Sequence, residues 1–260
     1  MSRKLDQVLS SMITEDRVAL AKQKTERVVD HLLYLIQLNT NNEIVPYSST
    51  LSAQIPPSYA ANAFNVFVSA LGWFEIVRLC ALWDRAEIAK ENIPIIVKLV
   101  NDPDVIEALV EETRSHWQQK GGQLFTSQDD DPGLVAAATE ELARIDEQLG
   151  EEQATTARSD LQTAIADARD ILKSKNLAGI MNFRDKSLAH SLSQTYRERV
   201  APVAPMKPSD AREILTRSCK IVEVLHRVVN GKSFSFDDSR GMHRENAESL
   251  WTGCKFNIAR

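Results

Sequence analysis

With 260 residues, 43% hydrophobic and 26% charged, the chain can bury one substantial core or two small ones. A formal net charge of −5 excludes a surface that neutralises phosphates everywhere, so any RNA site has to be local. Three scattered cysteines, Cys80, Cys219 and Cys254, without a Cys-x-x-Cys spacing, argue against a disulfide framework or a zinc site and favour a reducing cytoplasm.

Only nine glycines and nine prolines interrupt long stretches rich in Ala, Leu, Glu, Lys, Arg and Gln, so the expected fold class is all-α, an up-and-down helical bundle. The opening MSRKLDQVLSSMITEDR lacks an apolar signal core, and no later run is read as reaching the roughly 20 apolar residues that cross a bilayer. The expectation is a cytoplasmic protein with no membrane partner.

In chain order, Val28, Leu32, Leu35 and Leu38 recur at helical spacing and predict one amphipathic helix over 5–38, ended by Asn39-Thr-Asn-Asn42. Residues 43–57, with Pro46 and Pro56-Pro57, read as a loop. A second helix is predicted from Ser58 to Ile88; its middle, NVFVSALGWFEIVRLCALW, is apolar on almost every side and reads as the central helix of the bundle. IPIIVKLV is a short apolar turn, and Asp102 caps a helix from Pro103 to about Lys120 that Gly121-Gly122 stops. After a polar loop to Asp131, Pro132 opens the longest periodic stretch, through Leu142, Ile145 and Leu149 to Leu161, Ile165 and Ile171. The next helix is predicted over Leu177 to Gln194, with Asn176 available as its cap. Pro202, Pro205 and Pro208 enforce an extended loop. Asp210 with Glu213 forms a capping box for a helix to Gly231, and the tail holds a short helix around Arg244–Trp251. The expected divisions are 1–57, an N-terminal helix and loop packing on the bundle, then the bundle itself over 58–231, then the tail 232–260.

Charge is unevenly spread. Residues 140–170 carry nine acids against three arginines, whereas 171–212 carry eight bases against three acids, so the second block is a local cationic segment. Ordinary solvation of helix faces explains such blocks as well. Within it lies FRDKSLAHSL, Phe183 to Leu192. On a continuous helix Arg184 and His190 sit about 9 Å apart along the axis and roughly 120° apart around it. Lys186, Ser187 and His190 share a face at spacings of three and four. Two such helices meeting across a twofold axis would bring two arginines and two histidines to one cleft. The chemistry then follows from the side chains. His190 can take a proton from a ribose 2′-hydroxyl or give one to a departing 5′-oxygen. Arg184 grips phosphate oxygens through parallel hydrogen bonds. Lys186 adds positive field, and Asp185 either orients an arginine or caps a turn. No cofactor and no metal is expected.

These residues carry a resemblance. FRDKSLAHSL is similar to the Arg-x(4–6)-His signature of the HEPN superfamily, helical proteins that include metal-independent ribonucleases of toxin–antitoxin and phage-defence systems. It most resembles the abortive-infection AbiU branch, whose motif reads much like Arg-Asn/Asp-Lys-x-x-Ala-His. RLCALWDRAE, in which Trp83-Asp84-Arg85 closes the second helix, and the helix over 209–230 are also similar, so the likeness covers roughly residues 58–230. The resemblance implies a HEPN-like bundle, a homodimer whose shared cleft holds Arg184 and His190, an RNA substrate and an antitoxin partner. Many toxin members carry a tyrosine shortly after the histidine, whereas here SLSQT intervenes before Tyr196. Some members of the fold bind RNA or protein without cleaving anything, and that reading stays open beside cleavage, as does a plain helical scaffold.

Other candidates are weaker. Asp129-Asp-Asp-Pro-Gly-Leu to Glu140 places acids at the first, third and twelfth positions of a calcium loop. Gly133 and Leu134, however, stand where a ligand and a glycine belong, so Asp131 as cap and Pro132 as first helical residue explain it better. Asp84 and Arg85 could reach the site from the neighbouring helix, with Asp84 bonded to an arginine or in an ordinary helix-end ion pair. His31, His116, His226 and His243 have no partners at metal-ligand spacing. Phosphate loops, the Gly-x-Ser-x-Gly elbow and the His-Glu-x-x-His helix are absent.

Overall fold

The computed structural model describes residues 2–118 and 131–258, so the predicted loop around Gly121-Gly122 lies outside the described residues. The first predicted helix is two: α1 (Ser2–Ser11) and α2 (Thr14–Ile44), separated by a bend at Met12 and Ile13. Asn39-Thr-Asn-Asn42 does not end α2, because its polar groups find other partners. Asn39 and Asn42 donate to the buried Glu75 carboxylate at 3.0 and 2.6 Å, and the Thr40 hydroxyl bonds back to the Ile36 carbonyl. Burial pushes the Glu75 carboxyl up, against the two amide hydrogen bonds that lower it.

A short 3₁₀ turn (Val45–Tyr47) and α3 (Ser49–Gln54) occupy the expected loop. Then α4 (Tyr59–Trp83) starts at the Ser58 cap, whose hydroxyl accepts from Ala61 N–H at 3.2 Å. The expectation that α4 is the central helix is corrected. Its buried residues, Glu75, Ile76, Leu79, Cys80, Leu82 and Trp83, all lie in the last third, while Val66, Phe67, Trp73 and Phe74 are exposed. A helix apolar on every side has no stripe to specify which face turns inward, so neighbours decide. By length and composition α4 is also long and apolar enough to cross a membrane, which corrects the reading that no run approaches that length; 33% of its most apolar window is buried in the bundle.

The central position belongs instead to α2, which packs against α4, α5 (Ile93–Val100), α10 (Pro208–Asn230) and α11 (Phe236–Gly253). Its Val28, Leu32, Leu35 and Ile36 meet Leu79, Ile96, Leu99, Ile221 and Leu225 in one continuous core. α6 (Pro103–Gln118) and α7 (Pro132–Lys173) run antiparallel, as the ion pairs Glu107–Arg158 and Glu111–Arg114–Glu151 require. The 42-residue α7 is a single helix, opened by Asp131 accepting from Gly133 N–H at 2.7 Å; no residue of it before Gly150 is buried. Asp129, the first position of the calcium pattern, lies outside the described residues.

The cap of α10 differs from the expected one. The Asp210 carboxylate accepts from Lys207 N–H at 2.7 Å, whereas Glu213 accepts from Asn176 at 2.8 Å. α11 is a full 18-residue helix rather than a short one, held to α2 by Trp251 Nε1–H donating to Asn41 at 2.7 Å.

Candidate active site

Two helix ends and a helix break build the site. Ser174 closes α7 and opens α8 (Lys175–Phe183), accepting from Leu177 N–H at 3.1 Å; Asn176 is not the cap. The buried side of α8 is Leu177, Gly179, Ile180, Met181 and Asn182. A Cβ on Gly179 would stand 3.0 Å from the Ala204 carbonyl oxygen, so a glycine there lets the proline loop close over α8.

The predicted helix to Gln194 does not continue. Arg184–Leu188 forms one π turn, closed by Ala189 N–H to the Arg184 carbonyl at 2.8 Å; Ala189 keeps right-handed helical angles, and no helix continues through His190. The helical angles derived for Arg184, Lys186, Ser187 and His190 are thereby replaced. π turns interrupt helices most often at functional sites.

Within this break Arg184 is held from two sides. Its Nη1 donates to Asp84 Oδ1 at 2.7 Å and its Nε to Asp185 Oδ1 at 2.9 Å, while Nη2 stands in ion-pair contact with the same Asp185 oxygen at 2.8 Å. Its side chain is 19% exposed. Burial works against the charge, but the hydrogen bonds to Asp84 and Asp185 outweigh it and raise Arg184 above the ordinary arginine value. Of the five guanidinium N–H groups, two are hydrogen-bonded to these carboxylates and three are not. Asp84 stands immediately after α4, and Lys90 lies 3.9 Å from its other oxygen. Burial pushes the neighbouring Cys80 thiol up to about 12, so it stays neutral and is no nucleophile.

His190 is exposed, and among the described residues its side chain makes no hydrogen bond or ion pair. Ser187 is exposed as well. Lys186 does not project freely; its ammonium binds both Glu198 oxygens at 3.0 and 3.2 Å. Arg85 is exposed with no side-chain partner among the described residues, beside Asp84 rather than against Arg184.

A second layer escaped the sequence reading. Thr195 and Glu198 form a capping box at the start of α9 (Tyr196–Val200), and Glu198 also accepts from Asn182 at 3.0 Å, while the Thr195 hydroxyl donates to Asn182 Oδ1. Arg197 Nε reaches within 3.9 Å of Asp185. The pattern Thr195-x-x-Glu198 was visible as a cap signal; the reach of Glu198 across to Asn182 and Lys186 was not.

Hydrogen bonds from Asn182 first, then Lys186 and the Thr195 N–H, lower Glu198 to about 2. Because its folded value is depressed, its contribution to stability is complete above pH 4.5 and disappears as pH falls towards 2. Glu198→Gln should flatten that part of an acid-unfolding curve followed by circular dichroism; a curve that keeps the wild-type steepness would contradict this.

Asn92 is the pin beneath Asp84. It is 1% exposed, accepts from Ile95 N–H at 3.1 Å as the cap of α5, and donates to the carbonyls of Asp84 and Arg85 at 3.1 and 3.4 Å. Asn92→Ala should therefore cost about 2 kcal/mol in urea unfolding, combining a lost cap with two unsatisfied carbonyls.

Among the described residues no group of three or more His, Cys, Asp or Glu could hold a metal ion. Arg184 and His190 thus flank a helix break in an all-α structure, with no strand among the described residues. The sequence matches the HEPN AbiU2 family model over residues 21–250, and the chain belongs to that family. Comparison with curated proteins and with solved structures returned no match. Membership suggests a nuclease-type function in abortive infection.

Proposed function

We propose that this protein is a metal-independent endoribonuclease acting in abortive infection or as the toxin of a toxin–antitoxin module, with Arg184 and His190 as its catalytic pair. The observation that carries the reading is His190, exposed and, among the described residues, unbonded, six positions after an arginine held by two carboxylates. An imidazole can both accept and donate a proton in the transition state of such a reaction. The 2′-hydroxyl loses its proton as its oxygen attacks phosphorus, a 2′,3′-cyclic phosphate forms, and the 5′-oxygen leaves as a hydroxyl after gaining a proton. One histidine serves one of these transfers, and the same histidine of a second copy serves the other. Arg184 neutralises charge growing on the phosphate through its remaining N–H groups.

A homodimer is part of this reading. Trp73, Phe74 and Val77 are exposed, and Val77 precedes Asp84 by seven residues, about 10 Å along a helix. A second copy seated on this apolar stretch covers it next to the Arg184 cluster. The test is incubation of purified protein with RNA in excess chelator, with product ends and oligomeric state measured together. Cleavage that leaves a 5′-hydroxyl, by a dimer, supports the reading; dependence on added metal, or a monomer of full activity, ends it.

A second reading, a non-catalytic module that binds RNA or protein, is favoured by one specific feature. Two of the five N–H groups of Arg184 are already hydrogen-bonded to protein carboxylates, and a third nitrogen lies in ion-pair contact with one of them. It predicts RNA that is bound and left intact.

A further inference from the structure

The two carboxylates that hold Arg184 each line a different cavity. Asp84 lines one of about 660 Å³ between α1, the segment after α4, α5 and the end of α7; Asp185 lines another of about 480 Å³ with Tyr196, Arg197 and Val200. Arg184, bonded to both, stands on the divide between them.

The larger cavity is lined by the apolar Leu5, Val8 and Leu172, with the carboxylates Asp84 and Glu87 on the side of the segment after α4, and by cations. Arg85 and Arg169 both line it and are exposed. Among the described residues neither guanidinium has a hydrogen bond, an ion pair or a ring beneath it, although most other described arginines are paired. Two unpaired guanidiniums at the rim of an apolar cleft suit a ligand with an anionic edge and a flat, weakly polar body, which a nucleotide provides. Across the divide, Tyr196 is 76% exposed and offers a ring for stacking.

We infer that the cavity between α1, α5 and α7 is a binding site for a nucleotide of single-stranded RNA flanking the phosphate that Arg184 meets. Arg85 and Arg169 hold its backbone phosphate, and its base lies on Leu5, Val8 and Leu172. The strand then crosses Arg184 and continues over Tyr196. This assignment rests on the endoribonuclease reading for its substrate, but it concerns binding and is tested without catalysis.

Fluorescence anisotropy with a labelled single-stranded RNA octamer, on the 260-residue His190→Ala protein, measures the site directly. Adding Arg85→Ala and Arg169→Ala should weaken binding at least tenfold. It should also reduce the slope of log K against log salt by about 0.7, the share of the one phosphate charge that is no longer neutralised. Arg144→Ala serves as control, since Arg144 lies 25 residues, about 37 Å, from Arg169 along α7, and should change nothing. Inorganic polyphosphate of matching length should compete poorly, because it offers no base. Binding by the double variant within twofold of its parent, or polyphosphate competing as well as RNA, overturns the site. If the wild-type protein cleaves RNA while the double variant binds normally, the site fails and the function stands. If RNA stays intact but binding needs the two arginines, the function fails and the site stands.

Discussion

His190→Ala removes RNA cleavage by a factor of about 10²–10⁴, the usual worth of a positioned proton-transfer group, and leaves the thermal midpoint unchanged. The second half of this expectation follows from geometry. An exposed side chain with no bond to the described residues takes no packing with it when truncated, so the change stays within about 0.5 kcal/mol. Arg184→Ala is expected to abolish cleavage too, but not silently. It leaves Asp84 and Asp185 in close quarters without the cation that both share, so some stability goes with the activity. Arg184→Lys restores a charge but not the fork that reaches two carboxylates at once, and should recover stability better than rate. Paired rate and melting measurements separate these effects. A His190→Ala protein that cuts RNA at the wild-type rate would remove the proposed chemistry altogether.

Trp83→Ala should be the most damaging single change outside the reacting groups, costing about 3–5 kcal/mol in denaturant unfolding. Trp83 is 2% exposed, and its Nε1–H donates to the Ser218 hydroxyl of α10 at 2.9 Å. That hydroxyl in turn donates to the Ile214 carbonyl at 2.6 Å. Trp83 thus fixes the end of α4 against α10 at the residue just before Asp84. Trp83→Phe keeps most of the packing and loses one hydrogen bond, about 1–1.5 kcal/mol. With Trp83→Ala the Arg184 cluster loses its anchor on the α4 side, so activity should fall even under conditions where the protein remains folded. Equal stability of Trp83→Ala and Trp83→Phe would show that the ring contributes little beyond its N–H.

Much of the site could be found from residue types, because its chemistry is local in sequence. Arg184 and His190 lie within one ten-residue segment, and Asp84 and Arg85 follow directly on an apolar helix whose end is marked by the polar run that succeeds it. Cap signals of the same local kind located Asp102 and Asp131. Illegible was the interruption of the motif helix. No proline or glycine stands between Phe183 and Leu192, so periodicity ran through unbroken; the π turn goes with the bonds of Arg184 to Asp84 and of Lys186 to Glu198, partners 100 and 12 residues away.

By itself the sequence determined an all-α chain and the segment that carries its arginine and histidine, since helix propensity, capping and spacing act over a few residues. Tertiary structure alone decided which helix occupies the centre. Asn39-Thr-Asn-Asn42 reads as a stop, yet α2 continues through it because Glu75 of α4 and Trp251 of α11 take up its amide groups. Equally, α4 looks fit for the interior and lies largely on the surface. A polar side chain can satisfy its hydrogen bonds on its own turn or on a distant helix at similar free energy, and an evenly apolar helix favours no face. Only the partners that folding brings alongside resolve either choice.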